Sequence, residues 1–392
     1  MDMQRNMSRR MIQFFSTFLC LTLLFGVFGG QLTVRATEYQ MPEIEAKSAL
    51  LMEASTGRVL GEMNADEALP PASVTKIMTL LLVMEAIDAG KLSLDDMITA
   101  SANAASMGGS QIFLKEGETM RAEDLIKSVV IASANDAAVA LAEHISGSEE
   151  SFVAQMNAKA ADLGMTNTVF ENTNGLDDSV SRHLTSARDI ALMSRALLSH
   201  PQILAYTTVW MDTIREGNFG LTNTNRLIRF YRGATGLKTG STSRAGFCIS
   251  ATAERDGLHV IAVVMGAPSR DIRNEGAKAM LDWGFANYFL YAHTLEIDSP
   301  VYVRGGVTSS CALRCAPFSA VLPKGSEGKV EFSISVPESF SAPLSAGEKA
   351  GEVVYSCDGE EIGRADVFFA ENVEKIKFGG LLAKILQAVI LA

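Results

Sequence analysis

The sequence predicts an α/β protein of the α+β type, in which one antiparallel sheet encloses an inserted helical subdomain and a small all-β domain follows. Strand-like apolar runs occur near residues 49–63 and 246–266, and apolar residues recur at helical spacing between them. Beyond residue 294 the composition shifts to Ser, Gly, Val and Pro in alternating runs. Strands from both ends of the first region would therefore pair in one sheet.

Residues 1–36 have the pattern of a secretory signal peptide, because Arg5, Arg9 and Arg10 precede the apolar stretch MIQFFSTFLCLTLLFGVF and Val34-Arg35-Ala36 follows it. We therefore expect an exported protein. These residues hold four of the 34 basic and one of the 45 acidic residues, so the formal net charge changes from −11 to −14 without them. An acidic exported protein with no basic stripe is a poor candidate for binding nucleic acid.

The cysteines and histidines do not indicate a metal site. The sequence Cys311-Ala-Leu-Arg-Cys315 has no second ligand pair at zinc-finger spacing, and the five histidines form no HExxH motif. We predict no metal and no other cofactor. Whether Cys311, Cys315 and Cys357 form a disulfide stays open.

The elements of the first region follow from periodicity and turn residues. A hairpin is predicted over ALLMEASTGRVLGEM, a helix over 73–89, and two helical runs interrupted by SANDA over 125–145. SFVAQMNAKAADLG and TSARDIALMSRALL predict two more helices. GFCISATA and LHVIAVVMG predict strands joined at an Asp-Gly turn, and GAKAMLDWGFANYF predicts a helix that covers the sheet.

The β domain is predicted over about residues 295–370, with KVEFSISV as a strand whose Val330, Phe332, Ile334 and Val336 share one face. A final helix is predicted over about 373–392.

From Gly380 this helix offers about 20 Å, whereas a bilayer core needs about 30 Å. We predict that it lies in the membrane interface, and the alternative is a helix packed on its own protein. One face carries Leu381, Leu382, Ile385, Leu386, Val389 and Ile390, and the other carries Lys377, Lys384 and Gln387.

The stretch PASVTK places Lys76 one helical turn after Ser73. Ser-x-x-Lys also occurs at Ser326/Lys329, and a chain of this length contains about one or two matches by chance. Ser73 could simply be a helix N-cap. A serine nucleophile, however, needs a base and a means of stabilising negative oxygen. Lys76 could be that base only if burial or a second cation lowered its pKa.

Two further stretches supply candidate partners. In GLKTGSTS, Lys238 and Thr239 offer donors to a carboxylate, and Gly240 would let a ligand approach the strand edge. Ser133-Ala134-Asn135 interrupts an apolar helical pair, where a hydroxyl and an amide could relay a proton and hold a substrate amide. The second Ser-Ala-Asn, at 101–103, is interpreted as a helix cap.

PASVTK, SAN and KTG in this order resemble the active-site motifs of the penicillin-binding serine hydrolases, and specifically the low-molecular-weight D-alanyl-D-alanine carboxypeptidases. The flanking stretches ENTNGLDD, HLTSARDIALMSRAL and GLKTGSTSRAGFCISATA are also similar to that family. The resemblance covers about residues 40–392. It implies a penicillin-binding-protein/serine β-lactamase-like catalytic domain over 40–293, followed by the β domain and the helix as a membrane anchor.

The resemblance implies an acyl-enzyme on Ser73, with Lys76 as base and Ser133 passing a proton to the leaving D-alanine. It also implies a backbone oxyanion hole at Ser73 and Ser241. The implied substrate-binding residues are Asn135, Lys238, Thr239, Ser241 and, more loosely, Arg273. The implied partners are peptidoglycan stem peptides ending in D-Ala-D-Ala, β-lactam antibiotics as covalent inhibitors, and the outer face of the cytoplasmic membrane.

Two alternatives remain beside the carboxypeptidase. A serine β-lactamase would need a glutamate in an E-x-x-L-N loop, and Glu171 lies in ENTNGL, which lacks that pattern. A penicillin sensor or wall-binding protein would be acylated without turnover. The sequence leaves open the balance between hydrolysis and transpeptidation.

Overall fold

A computed structural model describes residues 39–177 and 180–391. The signal peptide predicted over 1–36 lies outside the described residues. The helices are α1 (Lys76–Asp88), α2 (Ala102–Ser106), α3 (Ala122–Lys127), α4 (Asn135–Ser146), α5 (Glu149–Asp162), α6 (Ala187–Leu198), α7 (Leu204–Thr207), α8 (Leu227–Phe230), α9 (Arg270–Asn287) and α10 (Phe378–Leu391). Short 3-10 turns occur at Ala72–Thr75, Pro201–Ile203 and Glu327–Lys329, and a π-helical turn spans Ser128–Ala132.

The strands of the first region are β1 (Ser48–Glu53), β2 (Val59–Met63), β3 (Met97–Thr99), β4 (Thr119–Arg121), β5 (Met211–Ile214), β6 (Phe219–Thr222), β7 (Ala234–Thr242), β8 (Gly246–Arg255) and β9 (Leu258–Ala267). Those that follow are β10 (Tyr288–His293), β11 (Val301–Arg304), β12 (Ser310–Cys311), β13 (Leu313–Cys315), β14 (Phe318–Pro323), β15 (Val330–Ser335), β16 (Ser339–Ser341), β17 (Lys349–Cys357) and β18 (Glu360–Phe369).

The predicted antiparallel sheet is confirmed, with strand order β2-β1-β9-β8-β7. Strand β1 from the beginning of the region pairs with β9 from its end, so that Leu51 lies opposite Ala262. The helices from α1 to α8 lie between these strands in the chain. The predicted insertion of a helical subdomain into the sheet is therefore confirmed.

Side chains alternate between the two faces along a strand, so a strand that is apolar throughout has apolar side chains on both faces. Helices cover both faces of this sheet. Leu50 and Met52 of β1 belong to the core cluster that also contains α1 and α6. Leu51 points the other way, and its Cδ2 lies only 2.9 Å from where a Cβ on Gly284 of α9 would stand. Helix α1 packs against α4 and α6 and is apolar on nearly every side, as expected of a helix in the centre of a domain.

The β domain begins earlier and ends later than the sequence predicts. Strand β10, placed by the prediction in the catalytic domain, pairs with β14 along its whole length. At the other end Val373 is 2 % exposed and exchanges two backbone hydrogen bonds with Leu344, and the Ile376 amide bonds the Gly305 carbonyl at 2.8 Å. The domain therefore runs from about 288 to 376, and the predicted end at 370 and helix start at 373 are wrong.

Strand β15 confirms the strand predicted over KVEFSISV, but its apolar face is not buried. Phe332 and Ile334 are 45 % and 50 % exposed, because β15 is an edge strand of the sheet β13-β18-β17-β15. The core of this domain is formed by other residues, with Tyr355 and Val353 fully buried.

Helix α10 carries its apolar side chains into solvent, with exposures from 46 % at Leu381 to 81 % at Ile390. The alternative of a helix packed on its own protein is therefore not what the structure shows. The side chains of Lys384 and Gln387 lie outside the described residues. Among the described helices, none has the length and apolar character needed to cross a bilayer.

Candidate active site

Ser73 lies in a 3-10 turn that leads directly into α1. The preceding residue, Ala72, has a φ of 49°, in the left-handed region that a residue with a side chain rarely adopts. The Ser73 side chain caps no helix, since the turn has Pro71 at its N-cap and no side-chain cap hydrogen bond. The N-cap interpretation is therefore wrong. Instead, Ser73 Oγ lies 2.9 Å from Lys76 Nζ.

Lys76 is completely buried, as its proposed role as a base requires. Its Nζ donates to Asn135 Oδ1 at 2.6 Å and to the Asn174 carbonyl at 2.8 Å. Burial lowers the pKa of Lys76 well below its usual value, and the nearby charge of Lys238 lowers it further. The second cation predicted from the sequence is thus in place.

Ser133 sits at the break between two helices. After the π-helical turn, Ser133 adopts a left-handed conformation with φ 63° and ψ 30°, and α4 then begins at Asn135. Such a backbone costs of order 1–3 kcal/mol and occurs mainly where surrounding structure imposes it. Ser133 is 4 % exposed, and its hydroxyl accepts from Lys238 Nζ at 2.8 Å. Asn135 Nδ2 donates to the Gly108 carbonyl at 2.7 Å.

The other Ser-Ala-Asn has the structural role that its sequence predicts. Ser101 is the N-cap of α2, and its Oγ accepts from the Ala104 amide at 3.0 Å. Asn103 is exposed and donates to Glu143 at 3.0 Å. The second Ser-x-x-Lys does not bring its serine and lysine into contact. Lys329 pairs with Asp358 at 2.9 Å, and Ser326 donates to the Pro323 carbonyl.

Lys238 of strand β7 and Arg273 of helix α9 bring positive charge to the site. Lys238 is 1 % exposed, and burial together with the charge of Arg273 lowers the pKa of Lys238 to about 7. Thr239 Oγ1 donates to Thr224 Oγ1 at 2.9 Å. Arg273 of α9 is also buried, and burial followed by the charge of Arg270 lowers the pKa of Arg273 to about 10.

Gly240 is required for a different reason than the predicted approach of a ligand. A Cβ at this position would lie 2.7 Å from the Ser73 amide nitrogen, 2.9 Å from the Val74 amide and 2.9 Å from the Pro71 carbonyl. The chain's own nucleophile turn therefore occupies this space. Because Ser241 follows at once, the contact also brings its backbone next to that of Ser73.

These residues line a cleft of about 470 Å³ that contains Ser73, Ser133, Thr239, Gly240, Ser241 and Arg273. Lys76 and Asn135 lie beneath its floor, in hydrogen-bond contact with each other. The structure thus assembles the serine, the two lysines and the amide that three separated motifs supply.

Residues 35–269 match the family described as D-alanyl-D-alanine carboxypeptidase, and residues 312–375 match the penicillin-binding protein 5 C-terminal domain. The first match spans more than half of the chain. The chain belongs to the D-alanyl-D-alanine carboxypeptidase family. The match confirms the family inferred from the motifs. Members of this family are serine peptidases, so this carboxypeptidase is a hydrolase.

Characterised relatives extend over nearly the whole carboxypeptidase. It is 43 % identical to D-alanyl-D-alanine carboxypeptidase DacF of Bacillus subtilis over 85 % of this chain and 87 % of that protein. It is 34 % identical to DacC of Escherichia coli over 93 % of this chain and 91 % of that one.

Solved structures share the fold. Penicillin binding protein 5 from Haemophilus influenzae superposes with a TM-score of 0.74 at 33 % identity, covering 85 % of this chain and 99 % of that chain. Penicillin-binding protein D2 from Listeria monocytogenes in its ampicillin-bound form gives a TM-score of 0.58 at 33 % identity, with 62 % and 100 % covered. The predicted penicillin-binding-protein fold is confirmed.

Several residues of the carboxypeptidase's cleft were not predicted individually. They come from the segment before the KTG motif, from the loop that contains Ser110 and from the first turn of α9, so only the tertiary structure brings them together. The main ones are Ser110, Trp210, Thr224, Arg226, Phe230 and Arg270.

A hydrogen-bonded chain behind the nucleophile turn was also missed. The Glu171 amide donates to His183 Nδ1 at 3.0 Å, which leaves the proton on Nε2 to donate to Thr75 Oγ1 at 2.7 Å. Thr75 in turn donates to the Ala72 carbonyl at 2.8 Å. Burial lowers the pKa of His183 to about 4, so the ring is neutral at physiological pH.

Proposed function

We propose that this carboxypeptidase removes the terminal D-alanine from peptidoglycan stem peptides through an acyl-enzyme on Ser73. One observation carries the proposal: Ser73 Oγ lies 2.9 Å from the amine of a lysine that is completely buried and has a second lysine nearby. A neutral amine has two N–H donors and one lone pair. Asn135 and Asn174 accept the two donors, which leaves the lone pair for the Ser73 hydroxyl proton.

Acylation would then proceed as follows. Lys76 takes the Ser73 proton while Oγ attacks the carbonyl carbon of the penultimate D-alanine. The backbone amides of Ser73 and Ser241 stabilise the negative oxygen. As the C–N bond breaks, Ser133 gives its proton to the leaving nitrogen, and Lys238, 2.8 Å away, replaces it.

Water completes the cycle. It attacks the ester carbonyl and gives a proton to neutral Lys238 by way of Ser133, while Lys76 returns its proton to Ser73 Oγ. The acid is released, and both lysines regain their starting states. Lys238, Thr239 and Arg273 would hold the terminal carboxylate until the D-alanine leaves, and Asn135 would hold the substrate's amide.

The β-lactamase alternative gains no support from Glu171. Its side chain is exposed, accepts from the Arg182 amide at 2.8 Å and does not line the cleft that contains Ser73. The sensor alternative uses the same acylation machinery and differs only in turnover.

Measurement of free D-alanine released from a stem-peptide analogue by the purified chain without residues 1–36 tests the proposal. We expect repeated turnover, inhibited by penicillin. Covalent labelling by penicillin without release of D-alanine would instead establish the sensor.

We also propose β-lactam antibiotics as covalent inhibitors and the outer face of the cytoplasmic membrane as the site of action. The relative from Listeria monocytogenes binds ampicillin, which supports the first proposal. The apolar run in residues 1–36 and the exposed apolar residues of α10 support the second.

A further inference from the structure

Two arginines line the outer part of the cleft and have no role in the mechanism above. Arg226 directly precedes α8, and Arg270 is the first residue of α9. Both line the cleft that contains Ser73, and both are exposed. Within the part of the chain that the structure describes, neither guanidinium has a hydrogen bond or an ion pair.

Some arginines of this carboxylate-rich chain do form ion pairs. Arg188, for example, pairs with both Glu62 and Asp66. Asp271 and Glu275 share a neighbouring groove with Arg226, but Glu275 pairs with Lys278 at 2.8 Å. Asp271 lies close by, but within the described residues it forms no ion pair with Arg226 or Arg270.

Arg270 also lies where the helix dipole disfavours a positive charge. A cation in the first turn of a helix is repelled by the positive end of the helix dipole. Arg270 stands there in an eighteen-residue helix, three positions before Arg273, whose pKa its charge lowers. Asp271 in the same turn is the acidic residue that a helix N-terminus favours, whereas the charge of Arg270 is of the disfavoured sign. Residues that break a local rule in this way are expected mainly at functional sites.

Together these residues form a path of positive charge from solvent to the nucleophile. Arg226 and Arg270 lie at the mouth, Arg273 lies deeper, and Lys238 contacts Ser133 at the base. The chain as a whole has a formal net charge of −11 and would repel an anion. A cleft lined by cations reverses that repulsion locally and raises the association rate of an anionic ligand.

We propose that Arg226 and Arg270 are specificity residues that attract the terminal carboxylate of the substrate into the cleft and so favour anionic over neutral ligands. The inference rests on the proposed function, because it takes Lys238 and Arg273 as the site where that carboxylate is bound. Neither arginine touches the reacting atoms, so their removal should slow capture and leave the acylation step unchanged.

The test compares Arg226→Gln, Arg270→Gln and the double variant with Arg232→Gln. Arg232 is an exposed arginine outside the cleft, so its substitution changes the net charge by the same amount. The second-order rate constant of acylation is measured with a penicillin, which carries a carboxylate, and with its neutral methyl ester.

At low ionic strength we expect about threefold slower acylation by the anion for each single variant and about tenfold for the double variant. Salt at about 0.5 M should reduce these effects to less than twofold, because the charges are exposed and screened. The methyl ester should react equally with all variants, and the limiting rate at saturating penicillin should not change.

Equal rates for the cleft variants and Arg232→Gln would overturn the inference, and so would an equal loss with the ester. Failure of the proposed function is recognised separately, as a wild-type protein that releases no D-alanine from the stem-peptide analogue.

Discussion

At the scale of single residues, two buried lysines dominate the site. Lys76 and Lys238 are 0 % and 1 % exposed, and within the described residues neither forms an ion pair with a carboxylate. Burial disfavours the charged amine, and for Lys76 it outweighs the opposing charge of Asp136. Their amines are therefore poised to exchange protons with Ser73 and Ser133, which an exposed lysine at its ordinary pKa could not do at neutral pH.

Ser73→Ala should abolish covalent labelling by a penicillin, because this hydroxyl is the one that hydrogen-bonds the buried Lys76 amine, at 2.9 Å. Ser326→Ala is the matched control, since its Ser-x-x-Lys does not bring serine and lysine together. Mass spectrometry of the penicillin adduct measures both. Labelling that persists in the Ser73 variant would contradict the assignment of the nucleophile.

Ser133→Ala should retain the fold and slow acylation by about 10²- to 10⁴-fold, the range expected when a positioned proton donor is lost. Ser101→Ala should acylate like wild type, although loss of its helix cap costs about 0.5–2 kcal/mol of stability. Stopped-flow acylation and thermal unfolding separate the two effects. The reverse pattern would show that the other Ser-Ala-Asn is catalytic.

The pH dependence of kcat/KM should reveal the titration of the Lys238 amine. Burial and Arg273 lower its pKa to about 7, so the free enzyme loses this positive charge as the pH rises through 7. Binding of a carboxylate should weaken accordingly, and kcat/KM for an anionic peptide should fall on the alkaline side. A profile that stays level up to pH 9 would contradict the assigned role.

At the scale of elements, the site depends on β7 and the nucleophile turn packing backbone to backbone. Gly240 permits this contact from the side of β7. Gly175, with a φ of 86°, permits a second close contact with the nucleophile turn. A Cβ at Gly175 would lie 1.9 Å from the Ala72 carbonyl oxygen. The adjacent Asn174 carbonyl is the one that accepts from Lys76. Close packing of β7, the nucleophile turn and the segment that contains Asn174 and Gly175 thus sets the position of the Lys76 amine.

Gly240→Ala should displace the Ser73 turn, because its Cβ would lie 2.7 Å from a backbone nitrogen that cannot move alone. Misplacement of a nucleophile by about 1 Å can cost about 10²-fold in rate. Acylation should fall by at least that factor while circular dichroism remains native-like. Gly328→Ala, which meets no atom within 4 Å, is the control and should acylate normally. Wild-type acylation in Gly240→Ala would show that the contact is not needed.

At the scale of the whole molecule, catalysis and attachment are assigned to separate parts of the chain. The proposed active-site residues end at Arg273, whereas the exposed apolar helix begins at Phe378. Six large apolar side chains on this helix, each contributing roughly 1.5 to 3 kcal/mol when fully buried, could exceed the ordering cost of a short segment in the membrane interface.

Truncation after Lys377 should therefore turn a membrane-associated enzyme into a soluble one with unchanged turnover of a small peptide. Fractionation and the D-alanine assay on full-length and truncated proteins measure both parts. Truncation after Ala370 is a poorer choice, since it removes the buried Val373 and should lower the stability of the β domain. A protein truncated after Lys377 that still sediments with membranes would refute the anchor.

The sequence by itself determined the features that depend on local spacing. Ser73 and Lys76 share a helix face because they are three residues apart, and the Asp-Gly turn determines the hairpin of β8 and β9. The break at Ser133-Ala134-Asn135 is visible as a polar interruption of an apolar pattern, although its left-handed backbone is not. Such features depend on neighbours within one turn of the chain, so periodicity and residue type are enough to predict them.

The tertiary structure decided what lies far apart in sequence. Lys238 and Ser133 are 105 residues apart, and the Asn174 carbonyl reaches Lys76 across 98 residues. Gly240 was expected to make room for a ligand and instead makes room for the Ser73 turn, while Arg226 and Arg270 belong to no motif. Contacts of this kind arise when separate elements pack their faces together, and no local pattern records which backbone atoms will then meet.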